Sequence, residues 1–558
     1  MSKYTCITIG PIVATLMKAR KTKELWAASY LFSLIMRRIV SALAGKKGEN
    51  QENIVIPYRK EKLIHQEWWR DFIEMQTNVK DDLGQKAESE KIDPGVGLYL
   101  DHIVYRGEID NLEEIKQEVF REVADLLYTR GKKQNDIIEF LQNYIQIYYF
   151  VIEENTANFM QRINRVFDVL ELQVKISQEG AYSLKDFFKE LPETTLYKCC
   201  FKNNNYLGDH CKSIVEIATA ELPVKPEVCV SEDEEDRYIA ECRANNKELF
   251  FNYHKYYAVV QSDGDRMSHF IKKVIGCGLS VQDVSEALFN WAKKSVREVL
   301  KFGGLPVYAG GDDLLFFAPV NNEQTSLIAV LENINEIFKT EVTALLDGRK
   351  MESDFRKPSL SFGVAVAYYK YPLNEACDRA YGLLKEMKTM GGDGIRLKLI
   401  KHSNSDFDTV LRFRTEDVFY HAFKEMIQIP AKEISDTEIR GITRRLREDK
   451  KVLEVLARRI DLLARNEEMN ELYKRRIVAY FKNCVEDYTE TNKLLNLIVE
   501  LLQVMPEEIW NDSGYYEKIR DIVYSFEAKP VNLRKSYSLL IFDMLRVIKF
   551  FKGIEEIK

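Results

Sequence analysis

The sequence predicts an α+β protein of several domains, in which strands and helices alternate in two separate parts of the chain. With 558 residues, the chain is far longer than one hydrophobic core usually supports. A β-branched strand opens it at about residues 4–9, and a block at about 256–400 has the order strand, helix, hairpin, helix, strand. This order is typical of a sheet that contains antiparallel strands and carries its helices on one face.

Four regions follow from this pattern. We expect a first sheet domain with a helical insertion at 1–198, a cysteine-containing linker at 199–250, a second sheet domain at 251–404 and a helical bundle at 405–558. The stretches YTCITIGPIVATLMKARK and YYAVVQSDGDRMSHFIKK each combine a strand, a tight break and a helix that ends in basic residues. The two sheet domains therefore suggest a duplication in which only the second copy carries carboxylates at the break.

The composition limits the class of protein. A net charge of -6 argues against a chain that holds nucleic acid alone, so we expect partner subunits to hold most of any polynucleotide. The nine cysteines follow no regular framework and suit a reducing cytoplasm. The start MSKYTCITIG lacks a signal-peptide pattern, and the early apolar segment AASYLFSLIM is too short to span a bilayer. We expect a cytoplasmic protein with no membrane partner.

The most informative stretch is VYAGGDDLLFFAPV at residues 307–320. It predicts a tight hairpin whose adjacent carboxylates, Asp312 and Asp313, repel each other and require a cation. Gly310 and Gly311 allow unusual backbone angles and a close approach of phosphate. Asp263, at the end of the strand YYAVVQ, would add a third carboxylate and complete a site for two Mg²⁺ or Mn²⁺ ions, which is the chemistry of nucleotidyl transfer. The alternative is a purely structural hairpin, because Gly and Asp favour turns for local reasons.

Two stretches carry a family resemblance. In the second block, the DGD strand and AGGDD are followed by LSFGVAVAYYKYPLNEACDRAYGLLKEMK. This combination resembles the active palm domain in the large subunit of type III CRISPR effector complexes, which is similar to GGDEF-type diguanylate cyclases and to polymerases. The opening ITIGPIVATLMKARKTKELWAASYLFS resembles the first palm of the type III-B (Cmr) branch. The resemblance implies two ferredoxin-like palm domains with helical insertions and a C-terminal helical bundle.

The resemblance also implies an activity. Pairing of a target RNA with a guide RNA would switch on ATP-dependent synthesis of an adenylate second messenger, with cyclic oligoadenylate as the first expectation. One alternative is AMP transfer from ATP onto S-adenosylmethionine, giving SAM-AMP, since the same metal site would serve both reactions. A non-catalytic scaffold and a free-standing diguanylate cyclase are also compatible with these motifs. The implied partners are ATP, the backbone and small helical subunits of the complex, and guide and target RNA bound mainly through that complex.

The family's functional residues carry over to particular positions. The resemblance implies that Asp312 and Asp313 are the metal-binding pair, that Asp263 is the first-strand ligand and that Asp265 is a further candidate ligand. It places Gly310 and Gly311 in the phosphate-facing turn. Two further nucleotide-binding candidates are Lys388, near the triphosphate, and Ser361, on the strand beneath. The alternatives are an exposed helix lysine and a serine that bonds a neighbouring strand.

The sequence also departs from the family. Many members begin with a histidine–aspartate nuclease domain, but the first palm pattern starts here at residue 4 and the histidines number only seven, so we expect no DNase activity. Members often hold zinc between the palms through paired C-x-x-C motifs. Here the region from Cys199 to Cys229 offers only Cys199-Cys200, His210-Cys211 and Cys229, which suits reduced thiols better than one tetrahedral zinc, although zinc stays an alternative.

Three further sequence features have a functional and a structural interpretation. Arg20, Lys21 and Lys23 could contact an acceptor phosphate, or they could be exposed helix charges. The basic stretch at 440–451 could meet a guide–target duplex or an acidic partner helix. We expect Trp68 and Trp69 to form core or subunit contacts rather than platforms for bases.

Overall fold

Two β-sheets, each covered by helices, organise the part of the chain that the structure describes. The computed structural model describes residues 2–45, 50–57, 95–154, 159–171, 180–201, 209–226, 234–322, 325–349, 355–402, 406–413, 418–429, 439–444, short segments between 479 and 501, and 533–554. The strands are β1 (Ser2–Gly10), β2 (Ile54–Ile56), β3 (His102–Arg106), β4 (Gln146–Glu154), β5 (Tyr256–Asp265), β6 (Leu305–Gly310), β7 (Asp313–Ala318), β8 (Ser359–Tyr368), β9 (Gly394–Ile400) and β10 (Phe407–Arg412).

Helices fill most of the remaining described chain. They are α1 (Ile12–Leu16), α2 (Thr22–Ala44), α3 (Leu112–Leu127), α4 (Gln134–Tyr144), α5 (Phe159–Glu171), α6 (Leu184–Glu190), α7 (Thr195–Cys200), α8 (Ile214–Ala218), α9 (Glu235–Asn245), α10 (Met267–Gly276), α11 (Val281–Lys301), α12 (Leu327–Glu341), α13 (Leu373–Thr389), α14 (Val418–Gln428) and α15 (Leu533–Phe551).

The first sheet has the strand order β2-β3-β1-β4, and every pair in it is antiparallel. β1 pairs with β4 along its whole length, from Ser2 opposite Glu154 to Gly10 opposite Gln146. Alternate residues of β1 therefore face the helices and form part of the core, as Ile7 and Ile9 do.

Helix α2 packs its apolar residues into this core. Its 23 residues make it the one helix in the described chain that meets the length and composition of a membrane span, but 78% of that window is buried inside the protein. Trp26 and Ile35 are fully buried on it. This degree of burial is typical of the core helix of a globular protein.

The second sheet has the order β10-β9-β8-β5-β7-β6, with β8 and β9 parallel and the other neighbours antiparallel. β5 lies between β8 and β7, and its register sets Asp263 opposite Ser361 and Ser262 opposite Leu314. Helix α13 packs closely on β8, since a Cβ added at Gly363 would lie 2.1 Å from the carbonyl oxygen of Ala380. The predicted fold class, two palm-like sheets with helices, is confirmed.

One predicted boundary is wrong. We expected strands to end before Phe407 and the second sheet domain to end at 404, but β10 pairs with β9 from Phe407 opposite Leu399 to Arg412 opposite Gly394. The sheet therefore continues beyond the expected start of the helical bundle. Helix α15 then packs against β10. Some sequence predictions fall outside the described residues. They concern most of the predicted bundle, residues 445–451 of the basic stretch, Trp68, Trp69 and Cys229.

The two sheet domains contact each other through α2 and the segment 95–101. The Oγ atom of Ser29 donates to the carbonyl oxygen of Val307 on β6 (3.2 Å), and Trp26 Nε1 donates to the carbonyl oxygen of Gly95 (2.5 Å). The amide of Ala309, also on β6, donates to the carbonyl oxygen of Gly97 (2.8 Å). The segment 95–101 thus runs beside the free edge of the second sheet.

Candidate functional site

The β6–β7 hairpin forms the tip of the candidate site. Gly310 pairs with Asp313, so only Gly311 and Asp312 make the turn. Gly311 has a φ of +63°, a left-handed conformation that glycine adopts without strain. At Gly310, a Cβ would lie 2.4 Å from the Tyr308 hydroxyl, so the side chain of this tyrosine covers the turn. Both glycines are therefore required by the local geometry.

The hairpin brings acidic residues from two distant segments together. The carboxyl groups of Asp263 on β5 and Asp312 in the turn lie close enough to interact electrostatically. A Cβ added at Gly264 would lie 2.7 Å from an Asp312 carboxylate oxygen, so this carboxylate lies directly on the β5 backbone. Asp313 begins β7 beside them and keeps part of its surface exposed.

These carboxylates perturb one another strongly. Burial and the neighbouring Asp263 raise the pKa of Asp312 to about 7. Burial and the carboxylates of Asp312, Asp263 and Asp101 raise the pKa of Asp313 well above its ordinary value. Because Asp313 is partly exposed, its charged neighbours weigh more in this shift than burial does. The tip of the hairpin is therefore a place of concentrated negative charge.

Lys388 is the cation beside this cluster. It lies in the last turn of α13, and its Nζ atom contacts an Asp263 carboxylate oxygen and donates to the carbonyl oxygen of Gly264 (3.1 Å). Both side chains are about one-third exposed. One ammonium thus faces three carboxyl groups, so it cannot neutralise all of them when they are ionised.

Asp265 and Ser361 have a structural role in place of the ligand roles we expected. The Asp265 carboxylate is 6% exposed and accepts hydrogen bonds from Ser359 Oγ (2.8 Å), Ser361 Oγ (2.7 Å) and the Asp393 amide (2.8 Å). A Cβ at Gly392 would lie 2.4 Å from this carboxylate. The oxygens of Asp265 are therefore enclosed by the loop that follows α13, and the fully buried Ser361 supports that enclosure instead of facing a ligand cavity.

A contribution from the first sheet domain was missed by the sequence analysis. Leu100 lies against the turn, because a Cβ at Gly311 would be 2.7 Å from its Cδ2 atom. Asp101 adds a fourth carboxylate that raises the pKa of Asp313. The carbonyl oxygen of Asp101 accepts from the amide of Ile9 at 3.2 Å, which connects the hairpin to β1. The dipeptide Asp101-His102 was visible in the sequence, but no local pattern placed it beside a hairpin 200 residues away.

The donor set fits the divalent cations that the resemblance implies. Mg²⁺ and Mn²⁺ prefer carboxylate oxygens, and Mg²⁺ commonly binds one or two carboxylates together with substrate phosphates. The contact between Asp263 and Asp312 supplies such a pair, and their concentrated negative charge favours a cation. Within the described residues, no three His, Cys, Asp or Glu side chains already converge on one point. Substrate oxygens would therefore have to complete the coordination.

The cysteine region is placed only in part. Cys200 and Cys211 are buried, and burial raises the pKa of the Cys211 thiol to about 12. Cys199 is exposed. His210 Nε2 lies 2.6 Å from Glu216 Oε1, so its ring bonds a carboxylate.

Comparisons with known sequences and structures identify related proteins. Two sequence models match: the N-terminal domain of CRISPR-associated protein Cmr2 at residues 4–163 and the second palm domain of Cas10/Cmr2 at residues 256–395. A curated relative, CRISPR system Cmr subunit Cmr2 of Pyrococcus furiosus, is 30% identical over 194 residues. That match spans 30% of this chain and only 21% of the relative's length.

Solved structures show the same fold. The chain resembles a subunit of the type III-B Cmr-beta complex in its apo state, with a TM-score of 0.56 and 13% identity, over 100% of this chain and 82% of that one. The complex bound to cognate target RNA gives a TM-score of 0.53 at 13% identity, over 88% and 80% of the two chains. Since both matching sequence models describe one family and together span more than half of the residues, the chain belongs to the Cas10/Cmr2 family, in its type III-B (Cmr2) branch.

Proposed function

We propose that this chain is the catalytic large subunit of a type III-B CRISPR effector complex. Its second palm uses ATP and two divalent metal ions to make an adenylate second messenger when target RNA pairs with the guide RNA. Cyclic oligoadenylate is the product we propose first. The reaction takes place in the cytoplasm, where the other subunits of the complex hold most of the guide and target RNA.

One observation carries this proposal, namely the contact between Asp263 and Asp312. These residues lie 49 positions apart, on β5 and in the β6–β7 turn, and their carboxyl groups are close enough to interact electrostatically. A purely structural hairpin has no need for acidic residues from a second strand at its tip, because their repulsion destabilises the fold. Clustered carboxylates of this kind are typical of functional sites.

The residues of the site would act by positioning and by charge. Asp263 and Asp312, with Asp313 beside them, would hold the two ions, which when bound would activate the attacking hydroxyl and neutralise the departing pyrophosphate. Gly310 and Gly311 carry no side chains of their own, so phosphates would approach the turn on the side that Tyr308 and Leu100 leave open. Lys388 supplies a positive charge at the edge of the cluster. The barrier would then be lowered by orientation and electrostatics, without a nucleophile from the protein.

The replacement of Asp312 and Asp313 by asparagine tests the assignment. In the target-activated complex, we expect ATP consumption to fall by about 100-fold or more, because the amides remove two negative charges from the cation site. The matched control changes two exposed acidic residues of the same domain, Asp347→Asn and Asp378→Asn, and should leave turnover unchanged. If the double variant at the turn consumes ATP at the wild-type rate, the catalytic assignment is wrong and the chain acts as a scaffold.

The mass of the product identifies which molecule accepts the AMP group. The assembled complex is incubated with labelled ATP, with and without S-adenosylmethionine, and its products are separated by mass. Cyclic oligoadenylates in both samples are the expected result. A product that forms only with S-adenosylmethionine, with the mass of its AMP conjugate, would identify the alternative transfer at the same carboxylate site.

A further inference from the structure

A large basic recess lies beside the first sheet, in the opening between the α1–α2 turn, the end of α4 and the start of α6. Its volume is about 1100 Å³. Six cationic side chains line it: Lys18, Arg20, Lys21, Lys23, Lys185 and Lys189. The recess is therefore opposite in charge to the chain as a whole, whose net charge is -6.

The two acidic residues of the recess already have partners. Glu24 accepts a hydrogen bond from the backbone amide of Arg20 at 2.8 Å. Asp186 caps α6 through the backbone amide of Ser183 (3.0 Å) and pairs with Lys132 at 3.5 Å. Glu24 thus offsets one of the six positive charges and Asp186 is already paired with Lys132, so the recess keeps a net positive charge.

Several of the cations have no such partner. Lys18, Lys23 and Lys185 make no ion pair with any residue in the described ranges. Lys18 lies 5.6 Å from the centre of the Tyr144 ring, which does not neutralise its charge. Unpaired ammonium groups on facing walls of one recess favour a ligand that carries several negative charges.

The aromatic residues of the recess limit what this ligand can be. Phe140, Tyr144, Tyr182 and Phe188 line the walls, but none is more than 8% exposed, so no ring face is open for a base to stack on. The Tyr182 hydroxyl is buried and has no hydrogen-bond partner among the described residues.

We propose that this recess binds the sugar–phosphate backbone of a single RNA strand. The recess contacts phosphates and leaves the bases outside, because it offers cations and no open ring. Its volume lies at or above the upper limit of ordinary small-molecule pockets, about 300–1,000 Å³, which favours a strand over one nucleotide. A recess, as opposed to an open face, also favours a single strand over a duplex. The choice of RNA rests on the proposed function, whereas the phosphate chemistry does not.

The test measures binding of a 5′-fluorescein-labelled single-stranded RNA of about 20 nucleotides to the full chain by fluorescence anisotropy, over a range of salt concentrations. In the triple variant Lys18→Glu, Lys23→Glu and Lys185→Glu, we expect the Kd to rise about 10-fold or more. The slope of log Kd against log salt should fall by about 2, since each phosphate contact on a single strand contributes about 0.7. A matched control reverses three exposed cations elsewhere, Lys247→Glu, Lys272→Glu and Arg356→Glu.

The control has the same net charge, so equal weakening in both triple variants would overturn the proposal, as would a wild-type chain that does not bind the RNA. Displacement of the RNA by millimolar ATP would overturn it too, because the recess would then be a nucleotide site. If the glutamate variant does not fold, as judged by circular dichroism, glutamine at the same three positions gives the same comparison. The measurement requires no ATP turnover, so the Asp312→Asn, Asp313→Asn variant should bind RNA normally even if the proposed catalysis is wrong.

Discussion

At the scale of single residues, the two aspartates of the DGD motif have different environments. Asp263 and Asp265 are two positions apart on β5, so both should point to the same side of the sheet. Asp263 nevertheless stays about one-third exposed and meets Asp312, whereas Asp265 is enclosed by the 389–393 loop. The difference arises from a loop more than 120 residues away, which no pattern within the motif could reveal.

The serine contacts of Asp265 lead to a stability prediction. Ser361→Ala removes a donor from a buried carboxylate, so we expect a loss of about 1–3 kcal/mol in the free energy of unfolding. Ser262→Ala is the matched control, since this serine is 2% exposed on the adjacent strand and its Oγ has no partner among the described residues. We expect it to change stability by less than about 0.5 kcal/mol. Urea unfolding of both variants checks this, and equal effects would contradict the role given to Ser361.

At the scale of elements, the β6–β7 turn is sterically coupled to the segment 95–101. Gly311→Ala would introduce both left-handed strain and a clash with Leu100, whose Cδ2 lies 2.7 Å from the new Cβ. Gly348→Ala is the matched control, because Gly348 has a φ of +72° and nothing within 4 Å. We expect the control to cost about 1–2 kcal/mol from strain alone and Gly311→Ala to cost more.

A double-mutant cycle separates the clash from the strain. Leu100→Ala should relieve the contact. The double variant should therefore lose less free energy of unfolding than the two single variants lose together, by about 0.5 kcal/mol or more. Urea unfolding of the four proteins gives the coupling energy. If the two losses in the free energy of unfolding simply add, the turn and the segment 95–101 are not in steric contact.

The start of α8 contains a pH-sensitive contact. The hydrogen bond to Glu216 raises the pKa of His210 above its ordinary value, against the opposing effect of burial. A raised pKa in the folded state means that the protonated ring stabilises the fold. This contribution is complete below the ordinary histidine pKa of about 6.5 and is lost as the pH rises through the raised value.

We therefore expect α8 to be better protected at pH 5.5 than at pH 8.5. Hydrogen exchange of the amides of Ile214–Ala218, corrected for the intrinsic pH dependence, measures this protection. In His210→Gln the difference between the two pH values should disappear. A wild-type helix with the same protection factors at both values would refute the contact's role.

The sequence predicted elements better than it predicted their ends. Alternating apolar residues and the break at Gly10-Pro11 located β1, and the run YYAVVQ located β5. β10 was missed because FDTVLR is a short strand that precedes a long helical pattern, and only its pairing with β9 distinguishes it. The meeting of Asp263 with the hairpin followed from motif order, whereas the approach of Leu100 and Asp101 depends on tertiary packing between the two sheets.

At the scale of the whole molecule, the last helix returns to the second sheet. The ring of Phe550 on α15 packs edge-on against Tyr256 at the start of β5, with centroids 4.8 Å apart. The side-chain amide of Asn321 donates to the carbonyl oxygen of Phe551 at 2.5 Å. Lys552 donates to the carbonyl oxygen of Ile427 at 2.8 Å, near the end of the helix that follows β10. The C-terminal end of the chain thus belongs to the same packing unit as the strand that carries Asp263.

Phe550→Ala should therefore destabilise the second sheet as well as α15. Phe550 is 1% exposed, and the cavity that its removal leaves should cost about 3–5 kcal/mol in the free energy of unfolding. Hydrogen exchange should show a loss of protection in β5 and β10 together with α15, because the three elements pack together. Tyr381→Ala, a change of an aromatic residue that is 49% exposed on α13, is the control and should leave these strands protected. A loss of protection confined to α15 would mean that the helix opens independently and that the protection of β5 does not depend on it.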